Sequence, residues 1–312
     1  MLDRVDILIA TYNGEKYLKE QLDSIFNQSY RNFRVILRDD NSSDDSLNIA
    51  KKYNIEILES SKNLGAKKSF EELLKYALNY GNGNYFMFCD QDDVWDEDKV
   101  QKSMEMMIYL ENLKLNYNNP ILIHSDLRVV DENLNIINNS FFQYSKINPH
   151  LHSFNRLLMQ NTVTGCTMII NRKLAKISLP IADDAIMHDW WMALVATQFG
   201  MIYTIKEQTI SYRQHSNNEV GAVKFNYIYI FKKIFIFLFN KELLQQKLHP
   251  NINQAKAFLE CYKVRIDIYT INSLEALHNI LTKSFWEKRG LIIKYRLFKQ
   301  GLIRNIALLL KI

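Results

Sequence analysis

Residues 5–14 read VDILIATYNG, and the way this stretch starts and stops decides the fold. Val5–Ala10 is a short apolar run rich in β-formers, the pattern of a buried strand, and Thr11-Tyr12-Asn13-Gly14 breaks it. Downstream, Glu15 to Asn27 carries Tyr17, Leu18, Leu22, Ile25 and Phe26 at helical spacing. FRVILR (33–38) reads as a second strand. The polar run Asp39–Asp45 after it can cap a helix over about Ser46–Tyr53. NIEIL (54–58) is a third strand. A turn at Asn63-Leu64-Gly65 precedes a helix with Phe70, Leu73, Leu74, Ala77 and Leu78 on one face. YFMFC (85–89) is a fourth strand, ending at Asp90. Strictly alternating strands and helices predict an α/β fold with a parallel, doubly wound sheet. In such sheets ligands bind beyond the carboxyl ends of the strands. The chemically unusual residues, Thr11-Tyr12-Asn13, Asp39-Asp40 and Asp90-Gln91-Asp92-Asp93, all fall there.

Composition agrees with a globular protein of one large or two modest domains: 312 residues, 47% hydrophobic and 23% charged. With Gly at 9 and Pro at 4, long low-complexity linkers are not expected. Charge divides the chain: residues 1–220 sum to −6 and residues 221–312 to +11. We therefore expect two functional units, an acidic, motif-rich one over 1–221 and a basic, aromatic-rich helical extension over 222–312. Cys89, Cys166 and Cys261 form no CxxC pair, so neither a zinc site nor a disulfide framework is supported and a reducing compartment is expected. Asp3, Arg4 and Asp6 stand where a signal peptide needs an apolar core. The longest apolar stretch, Phe225–Asn240, is interrupted by Lys232 and Lys233, so no spanning helix is predicted.

The tetrapeptide Asp90–Asp93 crowds carboxylates at the end of a buried strand. Such groups repel unless a cation or protons intervene. Magnesium and manganese favour oxygen ligands and are commonly shared with substrate phosphates, which makes a diphosphate the natural partner. A bare acidic turn can equally cap the helix starting near Asp96. Nothing matches GxxxxGK[ST], and no GxGxxG follows the first strand, so P-loop and dinucleotide chemistry lose their main support. Later in the chain, Ile121–Ile123 is a strand ending in His124-Ser125-Asp126, read as capping. Thr162–Asn171 sets small residues before another strand. Asp184–Trp191 opens a helix with Trp191, Leu194 and Val195 on its apolar face, and Tyr212–Asn218 closes the unit.

Four blocks in order, TYNGEKYLKEQLDSIFNQSY (11–30), VILRDDNSSDDS (35–46), NLGAKKSF (63–70) and YFMFCDQDDVWDEDKV (85–100), resemble the family 2 glycosyltransferases of GT-A fold, above all their bacterial rhamnosyltransferase-type members. The resemblance is dense over 5–100, weaker over 101–220 and absent beyond about 222. It implies a Rossmann-like, mostly parallel sheet and an inverting sugar transfer that depends on Mn2+ or Mg2+. Thr11, Tyr12 and Asn13 match the loop contacting nucleotide base and ribose. Asp40 matches the carboxylate that reads a pyrimidine N–H, and Asp39 is structural or ribose-directed. Lys67 or Lys68 faces base or phosphates. Asp90 matches the sugar- and ribose-facing acid of the DxD and Asp92 its metal ligand, with Asp93 not separable from Asp92. Thr164-Gly165 matches a loop that lets backbone approach the substrates. Asp189 matches the general base. Trp190 or Trp191 offers a sugar platform while the other is core, and His188 flanks the site. His215 matches a late metal ligand, and Arg213 is a candidate for diphosphate contact.

The expected donor is a dTDP- or UDP-sugar, with L-rhamnose or a hexose transferred. The expected acceptor is a polyprenyl-diphosphate-linked or growing surface polysaccharide, and nucleic acid is not expected. FNYIYIFKKIFIFLF (225–239) reads either as a helix packed on the catalytic unit or as an in-plane membrane contact. Lys288, Arg289, Lys294, Arg296, Lys299 and Arg304 add charge beside Ile and Leu. A peripheral protein at the inner face of the cell membrane follows as the expected location. The alternatives are a catalytically degenerate scaffold subunit of a polysaccharide assembly complex and a nucleotidyltransferase. The latter is disfavoured because TYNG lacks a Gly/Arg/Lys-rich loop.

Overall fold

The computed structural model describes residues 3–113, 119–215 and 241–312; the segment 225–239 lies outside them. β1 (Val5–Thr11), β2 (Phe33–Asp39), β3 (Glu56–Glu59) and β4 (Tyr85–Cys89) pair in parallel, in the order β3-β2-β1-β4. β1 and β4 are apolar nearly throughout because helices cover both faces of this part of the sheet. The register pairs Thr11 with Asp39 and Ile9 with Cys89, so the first loop, Asp39-Asp40 and Asp90 leave the sheet along one edge.

Between these strands lie α1 (Leu18–Phe26), α2 (Ser46–Ala50) and α3 (Ala66–Tyr80). α1 starts three residues later than its apolar pattern suggests, because Gly14 first closes a turn by accepting from Tyr17 and Leu18 N–H. α3 follows Gly65, whose φ of 76° is ordinary only for glycine, and it buries Phe70, Leu73, Leu74 and Ala77.

The second half widens the sheet to nine strands. The short β5 (Val94–Trp95) precedes α4 (Lys99–Asn112). β6 (Ile121–Val130) runs straight through His124-Ser125-Asp126, which were expected to end the strand. These polar residues fit inside the sheet because each has a partner. His124 Nε2 lies 2.9 Å from Thr204 Oγ1, Ser125 Oγ 2.6 Å from Thr209 Oγ1, and Asp126 accepts from Ser140 and Phe142. After β7 (Ile136–Asn138), α5 (Phe141–Ser145) and α6 (Phe154–Leu157), β8 (Ile169–Asn171) inserts antiparallel between β4 and β6. α7 (Arg172–Ser178) and α8 (His188–Phe199) lead to the long β9 (Met201–Arg213), which is parallel to β6 and carries β5 at the far edge. The architecture is the mixed, mostly parallel α/β sheet expected, with β5, β7 and β8 as antiparallel additions.

Among the described residues after β9 are four α-helices: α9 (Lys241–Tyr262), α10 (Ile268–His278), α11 (Phe285–Lys294) and α12 (Leu302–Lys311). They share one core with the sheet, in which Phe258, Leu277 and Ile292 join Phe70, Trp191 and Leu194. The Phe258 and Trp191 rings meet edge to face at 5.5 Å, and the Tyr262 hydroxyl donates to Ile177 O. Truncating Phe258 would cost about 3–5 kcal/mol by the usual measure for a buried aromatic side chain.

Candidate active site

A cavity of about 720 Å³ opens at the carboxyl edge of β1, β2 and β4. Of the residues singled out in the sequence, Thr11, Tyr12, Asp40, Asp90, Asp92, Gly165, His188, Asp189 and Trp190 line it; Asn13, Lys67, Arg213 and His215 are not among its lining. An apolar side built from Phe141, Ile147, Val163 and Met187 completes the wall.

The first loop is held by a residue the sequence reading passed over. Gln91 Oε1 accepts from the Thr11 hydroxyl (2.7 Å) and the Tyr12 N–H (2.8 Å), and its amide donates to Tyr12 O. A Cβ on Gly14 would lie 2.4 Å from that same oxygen, so the close approach requires glycine. Asn13, in the left-handed region at φ 48°, accepts from Ser43 N–H, while Ser42 Oγ accepts from the Asn13 N–H. It braces the loop of β2. Asp40 is nearly buried and accepts from Arg38, Leu64 N–H and Gly65 N–H. Because the Leu64 N–H is shared between Oδ1 (3.0 Å) and Oδ2 (2.9 Å), each oxygen takes two contacts, and a ligand N–H at Asp40 would have to share or displace one of them.

The acidic tetrapeptide separates into distinct environments. Asp93 is fully buried; it accepts from the Arg213 N–H, and its Oδ2 has no partner. Burial, with Asp92 and Asp90 alongside, raises its carboxyl well above the ordinary range. Asp92 instead turns to His215, with Nε2 2.8 Å from Oδ2, and the imidazole stacks on Tyr17 at 4.9 Å. Asp90, Asp93 and Cys166 also bring donor atoms within 4.8 Å of one another. The Cys166 thiol is raised well above its usual pKa by burial, which makes it a poor ligand for a hard ion. The carboxylate–imidazole pair of Asp92 and His215 is the better match to manganese or magnesium.

Arg213 is built into the wall rather than turned to the cavity. Its Nε donates to Asp92 O (2.8 Å), Nη1 to Glu132 O and Nη2 to Glu20, and its guanidinium lies 4.6 Å over the Tyr17 ring. Those bonds engage its donors on the Asp92 loop and the wall, and no cavity-facing placement supports the expected diphosphate contact. Lys67 is likewise engaged inside the protein. Its ammonium donates to Asp183 O (2.6 Å) and Ala185 O (2.7 Å), pinning the loop that leads into α8. Lys68 pairs with Glu71 and Asp183.

Asp189 stands in the first turn of α8 and lines the cavity. Its Oδ1 accepts the Trp190 N–H at 2.6 Å. Burial pushes its carboxyl up to about 7, opposed by hydrogen bonds from Trp190 N–H, Gly165 N–H and the Asn161 side chain. Gly165 is needed for a neighbour more than for a ligand, because a Cβ there would lie 2.9 Å from His188 Nε2. His188 packs against Phe70 (4.2 Å) and Phe88 (5.3 Å), and burial pushes its imidazole down to about 3, so it is neutral. Of the two tryptophans, Trp191 is core and donates to Ser178 O, while Trp190 lines the cavity with its indole N–H on Leu157 O.

Comparison with known proteins gives this arrangement its family. The profile of Glycosyl transferase family 2 matches residues 6–113, the part that carries β1 to β4 and the acidic tetrapeptide. A dTDP-rhamnosyl transferase of Shigella flexneri, RfbG, is 31% identical over 224 residues, covering 69% of this chain and 74% of that one. The chain belongs to glycosyl transferase family 2. This glycosyltransferase is also 28% identical over 174 residues to an Escherichia coli UDP-Glc:α-D-GlcNAc-diphosphoundecaprenol β-1,3-glucosyltransferase, WfgD, over 54% of this chain and 61% of that one. In fold it is similar to S. aureus TarS, solved with UDP-GlcNAc. The TM-score is 0.55 at 17% identity, over 94% of this chain and 91% of that one.

Proposed function

We propose that this glycosyltransferase moves a sugar, with inversion, from a pyrimidine nucleoside-diphosphate sugar onto a lipid-linked or growing surface polysaccharide. The donor is dTDP-L-rhamnose or a UDP-hexose, and the acceptor is borne on a polyprenyl diphosphate at the inner face of the cell membrane. One observation carries the reading: a single cavity is lined by Asp189, whose carboxyl is raised to about 7, together with Asp40, Asp90 and Asp92. A base ionising near neutrality is what an acceptor hydroxyl requires. Asp189 takes the hydroxyl proton as the acceptor oxygen bonds to the anomeric carbon, while the bond from that carbon to the diphosphate oxygen breaks and its electron pair leaves with the nucleoside diphosphate. Asp40 accepts the pyrimidine N–H, Thr11 and Tyr12 border the base and ribose with Asn13 behind them, and Asp90 faces the sugar. Trp190 offers its ring face to the sugar.

Asp92 and His215 fit a divalent ion as a carboxylate oxygen and an imidazole nitrogen already converging. Mn2+ or Mg2+ bound there supplies positive charge to the diphosphate. The names of the RfbG and WfgD relatives support the donor and acceptor classes. We assign the catalytic unit to 1–221 and the extension to 222–312.

The test is a donor panel: purified protein with Mn2+ and dTDP-rhamnose, several UDP-sugars and GDP-sugars, followed by binding and by release of nucleoside diphosphate. A pyrimidine nucleotide sugar turned over only with metal is the expected result. Folded protein that binds none of them contradicts the reading and favours a scaffold, and pyrophosphate release would indicate nucleotidyl transfer.

A further inference from the structure

The helical extension exposes a surface that the active site does not explain. Residues 263–312 hold ten Lys and Arg against three Asp and Glu. Part of that charge is committed internally. Lys288 is buried, Arg289 donates to Phe285 O and lies 3.3 Å over its ring, and Arg304 donates to Ser145 O, Lys146 O and Gln300 O. The outward charges are Lys263, Arg265, Lys283, Lys294 and Arg296.

The last two helices expose apolar side chains as well. α11 exposes Trp286 (78%) and, two turns on, Ile293. α12 exposes Leu302 (76%), Ile306 and Leu310 at i, i+4 and i+8, while Leu308 on its other side is buried in the core. The connection from α11 is fixed to the start of α12, where Asn305 Nδ2 donates to Lys299 O and Asn305 Oδ1 accepts the Lys299 N–H. Single exposed apolar residues are ordinary, but a stripe along a helix beside a second aromatic patch is not.

We infer that the outer face of α11 and α12 docks in the plane of an anionic lipid surface. Apolar side chains enter the boundary between headgroups and acyl chains, with Trp286 suited to that depth, and the surrounding lysines and arginines meet negative headgroups. Charge selects this occupant over a second copy of the chain, because two copies of the face would bring like charges together.

The same hairpin reaches the cavity. Gln300, between the two helices, accepts the Asn148 N–H at 2.6 Å and donates to Asn148 O at 2.9 Å. Its own N–H donates to Gln160 Oε1 at 3.0 Å. Asn148 and Gln160 adjoin Ile147 and Asn161, which line the cavity. Docking the hairpin on lipid therefore fixes that wall of the cavity near the surface that bears the acceptor. The inference deepens the reading of a lipid-borne acceptor, and donor turnover in solution tests that reading separately.

The experiment is co-sedimentation of the full chain with phosphatidylcholine vesicles, with and without phosphatidylglycerol, at low and high salt. The test variant combines Trp286→Ser, Leu302→Ser and Leu310→Ser, and a second combines Lys294→Glu with Arg296→Glu. Residues 216–240 are common to all three proteins, so any difference belongs to the hairpin. The native chain should bind only the anionic vesicles, less at high salt, and each variant should bind about tenfold or more weakly. Melting temperature and metal-dependent donor hydrolysis should not change. Equal vesicle binding by native chain and variants, no binding to anionic vesicles, or a native dimer that the triple variant dissociates would overturn the inference.

Discussion

Replacing Asp189 with Asn should abolish sugar transfer and at the same time stabilise the protein above neutral pH. The group is 9% exposed, and burial raises its carboxyl from the ordinary range to about 7. In the unfolded chain it ionises near ~4. The native state therefore binds more protons than the unfolded state between those values, and stability falls as pH rises from about 4 through about 7. Fully developed above pH 7, the cost is up to ~4 kcal/mol, reduced by whatever water enters the cavity. Asparagine keeps an oxygen for the Trp190 N–H and carries no charge, so the penalty disappears. Urea unfolding at pH 5 and pH 8 measures it: the variant should lead by about 1–2 kcal/mol at pH 5 and by up to ~4 kcal/mol at pH 8. Loss of a general base costs about 10²–10⁴ in rate. In the native enzyme kcat/KM should climb about tenfold per pH unit below 7 and level off above it. A variant no more stable than the native protein at pH 8, or one that still transfers sugar at the native rate, would refute the reasoning.

Asp92→Asn should remove metal-dependent donor turnover while the circular dichroism spectrum stays native; turnover at the native rate would exclude Asp92 as a ligand. Gly165→Ala sets a Cβ 2.9 Å from His188 Nε2 between packed rings, and should cost about 1–3 kcal/mol in chemical denaturation, where an unchanged midpoint would show that His188 moves freely. Lys67→Met leaves Asp183 O and Ala185 O without their ammonium donor, so transfer should drop through misplacement of Asp189 while donor affinity is kept. A parallel loss of donor affinity, read by calorimetry, would return Lys67 to the donor site.

The parts of the fold legible in the sequence were those where local pattern and burial coincide. VDILIA and YFMFC are flanked by helices and covered on both faces, so their apolar runs identify them as strands. β6 was cut short at Ile123 because His124, Ser125 and Asp126 look like a strand end, and the partners that let them stay inside come from residues 140 and 204–209. β5 is two residues long and exists through its pairing with β9, so it leaves no periodic signal. In the site, the carboxylates were legible because acids at strand ends are rare in an apolar frame. The roles of Lys67 and Arg213 were not, because a cation near a suspected diphosphate site reads the same whether it faces the ligand or braces a loop. Only the acceptors separate the cases, and Asp183, Ala185, Glu132 and Glu20 lie far away in the chain. Gln91 was missed for a related reason: an amide inside an acidic tetrapeptide gives no sign that it clamps a loop 79 residues earlier.

Sugar transfer by the proposed route is a single displacement driven by Asp189. Proton NMR of the sugar at early times, with the donor identified by the panel, reads it directly from the anomeric configuration of the product. The expected product has the configuration opposite to that of the donor and is formed by native enzyme and not by the Asp189→Asn variant. A product that keeps the donor's configuration would contradict it.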